Sequence, residues 1–402
     1  MTPLLFLSFA LAQSPDELSE RALAANPSLE ALRLRTEELQ HLASVADTWP
    51  DPMLGLEYSN VRVDSFGLGD HPMSGLQFKA TQGLPTPGLN QAREDLALEQ
   101  VELSEHALAE AELQLEVLVH TTWWRLALVR ELQQVTQEHL ERTEDLLAAV
   151  RARYEVGEAG QSALLRLSLL RDQLEDELGD FQRSEAELTA ALSRALSASI
   201  SVETSTELKV LSAPQQVDSS SRPALTAAHQ QVAVHRASAE LARVDGRPDL
   251  SIWAGYRVRT GESAMDQVDL ASVGVGMPIP VGSRKRSQAQ EAAAHSAASG
   301  AEAGVLALED GIAAGLEVAL ARWGRAAEKA RTYETGLLPQ AEAVLTTTLS
   351  DYQVGRADFA SLYDAEIVLL QLERARLMAA AETHIQRAQV AGLTGTWAEE
   401  TP

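Results

Sequence analysis

The chain has 402 residues, and its 33 Lys and Arg against 58 Asp and Glu give a formal net charge of −25. A field of that sign repels nucleic acid, and no Lys/Arg patch is large enough to offset it, so a nucleic-acid partner is excluded. The sequence contains no cysteine, which excludes disulfides, Cys-based metal sites and a lipid carried on an N-terminal cysteine.

Aromatic residues make up only 4% of the chain, while Ala, Leu, Glu, Gln and Arg dominate, a composition typical of long helices. The chain opens with an apolar run that ends in Ala10-Leu11-Ala12, so residues 1–12 are predicted to be a signal peptide. No later segment approaches the ~20 apolar residues of a membrane helix, so any membrane crossing must be made by strands.

In the first half, the pattern predicts a helix over residues 15–47 and two short strands near 53–63 and 74–82. A segment without Gly or Pro then runs from Leu89 to Val156, which as one helix would span roughly 100 Å. A tight turn and a return helix over residues 161–196 complete the half.

The second half repeats this order: a helix over 222–244, strands near 250–259 and 268–277, a long helix over 283–352 and a return helix over 357–391. Pro339 predicts a kink near Leu338 in the long helix.

The two halves also share short sequences at nearly one offset, which predicts an internal duplication. The first repeat is predicted to cover residues 13–196, a linker 197–221, the second repeat 222–392 and a C-terminal tail 393–402. The matched pairs include Pro50-Asp51 with Pro248-Asp249, Trp123 with Trp323, and Tyr154-Glu-Val-Gly157 with Tyr352-Gln-Val-Gly355.

The strands alternate between apolar residues and polar or small ones, as Leu54, Leu56 and Tyr58 do in the first strand. This alternation is typical of lipid-facing barrel strands, but also of an antiparallel sheet with one buried face. Four strands cannot close a barrel, since the smallest membrane barrels have about eight. We therefore predict a mostly α protein with a small β part, in which three protomers together close a twelve-stranded barrel.

Two sharp reversals join the long helices to their return helices. They are the turns Val156-Gly157-Glu158-Ala159-Gly160 and Val354-Gly355-Arg356-Ala357-Asp358. Glycine permits the positive φ that ends a helix, and Asp358 is placed to cap the following helix. The turns are predicted to be helix hairpin tips, and exposed paired tips of this kind favour contact with a partner.

The chain resembles the TolC family of outer-membrane efflux proteins. The resemblance lies in the duplicated Tyr-x-Val-Gly tips, the Leu338-Pro339-Gln340-Ala341-Glu342 run and Tyr363-Asp364-Ala365. Pro50-Asp51-Pro52-Met53 and Gln82-Gly-Leu-Pro-Thr-Pro87-Gly88 are similar to the strand junctions of the heavy-metal branch, the CzcC/CusC-like proteins.

The resemblance implies a homotrimer whose twelve-stranded barrel lies in the lipid of the outer membrane and is continued by a long periplasmic helical barrel. It also implies that the protein works with a periplasmic adaptor (membrane fusion) protein and an inner-membrane transporter. The adaptor-docking tips would be Val156, Gly157 and Glu158 with Val354, Gly355 and Arg356. The family's acidic ring at the periplasmic mouth maps onto Asp364 and onto Ser361, where this chain departs from the commonest pattern. Asp358 is expected to add charge at the same periplasmic gate.

The function expected from this resemblance is a passive export channel of a tripartite pump of the RND type. The channel would carry heavy-metal cations and would need neither catalysis nor a cofactor. Multidrug efflux and type I secretion are the alternatives within the same class. A soluble coiled-coil structural or adaptor protein is the alternative of another class. No phosphate loop, nucleophile elbow or zinc-protease motif occurs in the sequence, and its nine histidines are scattered.

Overall fold

The computed structural model describes residues 14–64, 73–199, 208–214, 217–259 and 268–398, so the predicted signal peptide lies outside the described residues. The chain divides into two compact units. The sheet unit comprises Leu32–Ala107 and Thr226–Ala307. The helical unit comprises the described residues of Met1–Ala31, Leu108–Leu225 and Leu308–Pro402.

Each half contributes helices on both sides of a strand pair. The first half has α1 (Pro15–Ala25), α2 (Pro27–Ala43), β1 (Met53–Ser59), β2 (Gly75–Leu84), α3 (Leu89–Glu155) and α4 (Gln161–Leu196). The second half has α5 (Pro223–Asp245), β3 (Leu250–Arg259), β4 (Leu270–Gly276), α6 (Ser283–Thr332), a π-helical turn (Tyr333–Leu337), α7 (Leu338–Gln353) and α8 (Phe359–Thr394). The return helices α4 and α8 both have 36 residues, in keeping with the duplication.

The first helix differs from its prediction, because two helices replace the single helix expected over residues 15–47. Asn26 interrupts it with an extended backbone at φ −74° and ψ 118°. The ring of Pro27 disfavours the helical conformation at the preceding residue, and the Asn26 side chain instead accepts a bond from the Ser28 N–H at 2.9 Å. β1 is also shorter than predicted and ends at Ser59, since Asn60 has a φ of 57°.

The long helix of the second repeat is irregular where Pro339 was expected to kink it. A π-helical turn occupies Tyr333–Leu337, and Pro339 lies in the first turn of α7. Proline has no N–H to donate to the preceding turn, so a local widening of the helix there removes the conflict with the regular ladder.

The four strands form one antiparallel sheet in the order β1-β2-β3-β4. Its register aligns Leu56, Phe78, Tyr256 and Ala271 across the sheet, and Leu54, Ala80, Ala254 and Val273 in the next row of that face. Leu54 and Val273 are each 83% exposed. The apolar alternations of the four strands therefore coincide on one face, which the described chain leaves uncovered.

The helical unit contains several apolar clusters, and one of them surrounds Trp323. Trp323 of α6 packs there with Leu211, Ile312 and Val390, and its Nε1 donates to the Leu211 carbonyl at 3.0 Å. The matched Trp123 of α3 is also buried. These indoles are therefore packing residues in equivalent helices.

Candidate functional site at the hairpin tips

The first helical hairpin, from α3 to α4, reverses at Val156–Gly160, called the first tip below. Gly157 has a φ of 83°, which L side chains rarely adopt. Its N–H donates to the Tyr154 carbonyl at 3.0 Å, and the Glu158 N–H donates to the Arg153 carbonyl at 2.8 Å. This pair of bonds is a Schellman motif, which ends α3 by satisfying carbonyls that have no helical partner.

The second hairpin, from α7 to α8, reverses at Val354–Asp358, called the second tip. Gly355 has a φ of 76°, and its N–H donates to the Tyr352 carbonyl at 3.2 Å. The Arg356 N–H donates to the Asp351 carbonyl at 2.8 Å, and the side chains of these two residues form an ion pair at 2.9 Å. The repeated Tyr-x-Val-Gly sequence thus produces one backbone geometry twice.

An arginine in the last turn of α3, beside the first tip, binds backbone carbonyls at the end of α7, beside the second tip. Arg153 donates from Nη1 to the Tyr352 carbonyl at 3.1 Å and from Nη2 to the Gln353 carbonyl at 3.0 Å. Its guanidinium carbon also lies 4.7 Å from the centre of the Tyr352 ring. The guanidinium therefore neutralises the negative end of α7. Sequence reasoning missed this contact, because its only sequence signal is a cation in the last turn of α3.

Asp358 caps α8, as the sequence predicts. One carboxylate oxygen accepts the Ser361 N–H at 2.9 Å and the Ser361 hydroxyl at 2.6 Å. The hydrogen bonds from the Ser361 side chain and backbone lower the pKa of the exposed Asp358 carboxyl. Ser361, which the resemblance placed in an acidic ring, lies in the structure as the hydrogen-bond partner of this cap.

Asp364 lies on the exposed side of α8, one turn beyond Ser361. Ser361, Asp364 and Val368 follow each other at three- and four-residue spacing and are all exposed, so they share one face of the helix. Asp364 forms neither a hydrogen bond nor an ion pair with the described part of the chain. Its carboxylate is therefore open to water in a single protomer.

Beneath the tips, aromatic and aliphatic side chains join the two hairpins. The Tyr352 and Phe359 rings lie 6.4 Å apart, and the Phe359 and Tyr363 rings lie 6.0 Å apart. All three pack on a buried cluster of the first hairpin made by Leu147, Val150, Ala163 and Leu167. Val156 and Val354, by contrast, remain exposed at the two tips.

A family model described as outer membrane efflux protein matches the chain over residues 18–198 and again over residues 216–396. The chain belongs to the outer membrane efflux protein family. The two matches fall on the two halves that the sequence pairs suggested. Channel proteins of this family are transport channels and not enzymes, and the protein is accordingly an efflux channel component of the outer membrane whose helical part lies in the periplasm.

Solved structures of outer-membrane channels share the fold of this efflux protein. VceC from Vibrio cholerae is 19% identical with a TM-score of 0.76, over 95% of this chain and 96% of VceC. CusC is 16% identical with a TM-score of 0.76, over 98% of this chain and 95% of CusC. MtrE from Neisseria gonorrhoeae is 16% identical with a TM-score of 0.73, over 95% of this chain and 88% of MtrE. A search among curated proteins finds no match.

The outer-membrane assignment decides between the two classes of function considered from the sequence. A soluble coiled-coil structural or adaptor protein is the wrong class. In the described ranges, no helix of the efflux protein is both long and apolar enough to cross a bilayer. The same ranges contain no group of three or more His, Asp and Glu placed to hold a metal ion.

Sequence reasoning also missed a buried charged cluster of the efflux protein. His139 on α3 contacts Glu366 at 2.6 Å and Glu373 at 2.7 Å, both on α8. Arg142 lies 3.9 Å from the same oxygen of Glu366. The cluster joins a helix of the first repeat to a helix of the second. Both helices were predicted, but their contact was not, because residues 139 and 366 lie far apart along the chain.

Proposed function

We propose that the chain is one protomer of a homotrimeric export channel, the outer-membrane outlet of a tripartite pump. The exposed, in-register apolar face of the sheet carries this proposal. Along its outer edges, β1 and β4 each have only one strand partner in the described chain. An uncovered apolar face is unfavourable in water but favourable in lipid, whereas open strand edges are costly in a bilayer, because lipid offers no hydrogen bonds. Three copies joined edge to edge in the bilayer pair every edge in one closed twelve-stranded sheet and leave the apolar face to the lipid.

The hairpin tips are the proposed docking points for a periplasmic adaptor protein that is tied to an inner-membrane transporter. The docking surface consists of Val156, Gly157 and Glu158 at the first tip and Val354, Gly355 and Arg356 at the second. Exposed apolar side chains flanked by charges of both signs suit a polar-rimmed protein contact. The Arg153 contacts with the Tyr352 and Gln353 carbonyls support this role, because they hold the two tips as one unit.

Asp364 is the proposed acidic ring of the periplasmic gate. Threefold symmetry would bring three copies of its unpaired carboxylate around one axis, where they attract cations and disfavour anions. Asp358 adds a carboxylate nearby, and its depressed pKa keeps that charge in place. Ser361 contributes no charge, so the ring holds one acidic position per protomer on this face.

The proposed substrates are heavy-metal cations, moved by a transporter of the RND type. The net charge of −25 and the Asp364 carboxylate support passage of cations. Multidrug efflux and type I secretion remain alternatives in the same class. Growth of a deletion strain on a panel of metals, dyes and detergents tests this assignment. Sensitivity confined to uncharged or anionic compounds would contradict metal efflux but would not contradict the proposed channel function.

The trimer can be tested at the sheet edges, because the chain has no native cysteine. Glu57→Cys in β1 and Ser272→Cys in β4 place thiols on opposite edges and on the same, more polar face. A short bismaleimide should link the double variant in membranes into dimers and trimers, while each single variant should stay monomeric on a denaturing gel. A double variant that remains monomeric would contradict edge-to-edge closure.

Planar-bilayer recordings test the gate. Asp364→Asn should reduce the preference for cations and change the single-channel conductance, because three charges leave the constriction. Asp310→Asn is the matched control, since Asp310 is also an exposed helical carboxylate without a hydrogen bond or ion pair in the described ranges. Conductance and selectivity that stay unchanged in Asp364→Asn would remove this residue from the gate.

A further inference from the structure

The segment that follows β4 leaves its apolar side chains exposed. β4 ends at Gly276, but the two-residue spacing of its apolar face continues through Met277, Ile279 and Val281. These three side chains are 58%, 81% and 93% exposed, which for Val281 means almost no protein contact. In water such a series is unfavourable, so an apolar medium beside the sheet is the natural partner of this stretch.

Three adjacent cations follow at once. Arg284, Lys285 and Arg286 form the only place in the sequence where Lys or Arg residues are neighbours, in a chain of net charge −25. All three are exposed, and none has a side-chain hydrogen bond or ion pair with the described residues. These cations do not stabilise α6, because positive charges in the first turn of a helix interact unfavourably with the helix dipole.

The cations are held on a fixed support. Ser287, the next residue, is buried, and its hydroxyl donates to the Ala242 carbonyl at the end of α5. Gly246 approaches the same serine so closely that a Cβ there would collide with its side chain. The first turn of α6 is thus anchored at Ser287, while its three basic side chains are exposed to solvent.

We propose that residues 277–286 form a binding surface for anionic phospholipid at the leaflet of the outer membrane that faces the periplasm. The apolar side chains of Met277, Ile279 and Val281 enter the acyl layer. The Arg284, Lys285 and Arg286 side chains bind the lipid phosphates at the boundary, where the sheet ends and the periplasmic helices begin. This surface rests on the outer-membrane location of the family and does not depend on the gate or the substrate.

The cations should set a preference between lipids rather than the total amount bound. One Lys or Arg close to an anionic membrane surface is worth about fivefold in binding. We expect the wild-type assembly to bind phosphatidylglycerol at least about tenfold more tightly than phosphatidylethanolamine with the same acyl chains. That preference should weaken with salt, because it is electrostatic.

Native mass spectrometry of the detergent-purified assembly, titrated with each lipid, measures this preference. The triple variant Arg284→Gln, Lys285→Gln, Arg286→Gln should bind the two lipids equally. The control variant Arg151→Gln, Arg166→Gln, Arg322→Gln loses the same charge from exposed helical positions and should keep the preference. The double variant Ile279→Asn, Val281→Asn should weaken the binding of both lipids to the same extent.

Two results would overturn the proposal: a phosphatidylglycerol preference that survives in the first triple variant, or one that is absent from the wild type. Sedimentation with purified peptidoglycan provides a further decision. If these cations control binding to peptidoglycan but not to lipid, the surface recognises the cell wall and the lipid assignment fails. Channel conductance of the triple variant should equal that of the wild type, so failure here is distinguishable from failure of the proposed channel function.

Discussion

The Nδ1 atom of His139 lies 2.6 Å from Oε1 of Glu366, inside the contact between α3 and α8. The Nε2 atom of the same ring lies 2.7 Å from Oε2 of Glu373, and the His139 side chain is only 1% exposed. A neutral imidazole can donate from one nitrogen only, whereas the imidazolium donates from both. The geometry therefore fits a charged histidine between two carboxylates, with Arg142 as a second cation beside Glu366.

The first prediction concerns the response of this cluster to pH. Burial lowers the pKa of His139, but the hydrogen bonds and charges of Glu366 and Glu373 outweigh it and raise the pKa above the ordinary 6.5. A histidine whose pKa is raised by folding stabilises the protein. That stabilisation is fully present below the pKa of the unfolded state and is lost as pH rises through the pKa of the folded state. The melting temperature in detergent should therefore fall as pH rises above neutrality.

His139→Gln should lower the free energy of unfolding at pH 6 by about 3 kcal/mol, since it leaves the buried Glu366 carboxylate with only the partly exposed Arg142 as a cation. The difference from the wild type should narrow at alkaline pH. His41→Gln is the control, because His41 is an exposed helical histidine. Parallel pH profiles for the wild type and His139→Gln would contradict this account.

The second prediction has the opposite sign and concerns two other buried histidines. Burial lowers the pKa of both His120 and His384 to about 4. His384 stacks on Trp124 with ring centres 3.5 Å apart, and its Nε2 lies 2.7 Å from the Lys209 carbonyl. Because both histidines are neutral in the fold, their stabilisation is present above pH 6.5 and is lost as pH falls towards 4.

Thermal melts followed by tryptophan fluorescence should therefore show a loss of stability below about pH 6. His384→Gln should reduce the steepness of that loss, although it lowers stability at neutral pH. A melting temperature that is constant between pH 6.5 and pH 4 would show that these histidines are not buried in the neutral form.

The third prediction concerns the glycines of the tips. Gly157→Ala and Gly355→Ala should each lower stability by about 1 kcal/mol, because an L side chain is strained at positive φ. Steric clashes add nothing, since a Cβ added at either position would meet no heavy atom within 4 Å. Gly179→Ala in the middle of α4 has equally open space but a helical backbone, so it should raise stability instead. Equal effects of all three substitutions on melting temperature would contradict the argument.

The fourth prediction concerns the link between the hairpins. Arg153→Gln should remove two bonds to the carbonyls at the end of α7 and the cation over the Tyr352 ring. Amide hydrogen exchange at residues 352–357 should become roughly tenfold faster, which corresponds to the net worth of one or two hydrogen bonds. Arg151→Gln, an exposed neighbour on α3, is the control. Unchanged exchange in Arg153→Gln would mean that the two tips are held by apolar packing alone.

Much of the fold follows from local patterns in the chain. The helix-forming composition and the absence of Gly and Pro from Leu89 to Val156 predict the single long helix α3, and the repeated Tyr-x-Val-Gly predicts the two hairpin turns. The alternation of the four strands also fixes which face is apolar. The errors lie where a local conflict is settled by one residue, as at Asn26, where the following proline breaks a helix that periodicity alone would continue.

The candidate site was only partly accessible in this way. The tips, the Asp358 cap and the helix that carries Asp364 could be located from motifs, because caps and turns depend on residues within one or two turns of each other. Arg153 and His139 could not be assigned, since their partners lie about 200 residues away along the chain. Nothing local in the sequence distinguishes these two residues from the solvated cations and histidines of the same helices.

The sequence by itself therefore determined the duplication, the helices, the hairpin turns and the alternating strands, all of which rest on interactions between near neighbours. Only the tertiary structure decided the strand register, the pairing of Arg153 with α7 and the burial of His139 between two carboxylates. These features depend on which helix or strand lies beside which. Long-range packing sets that arrangement, and with it the local dielectric and the charges around each group.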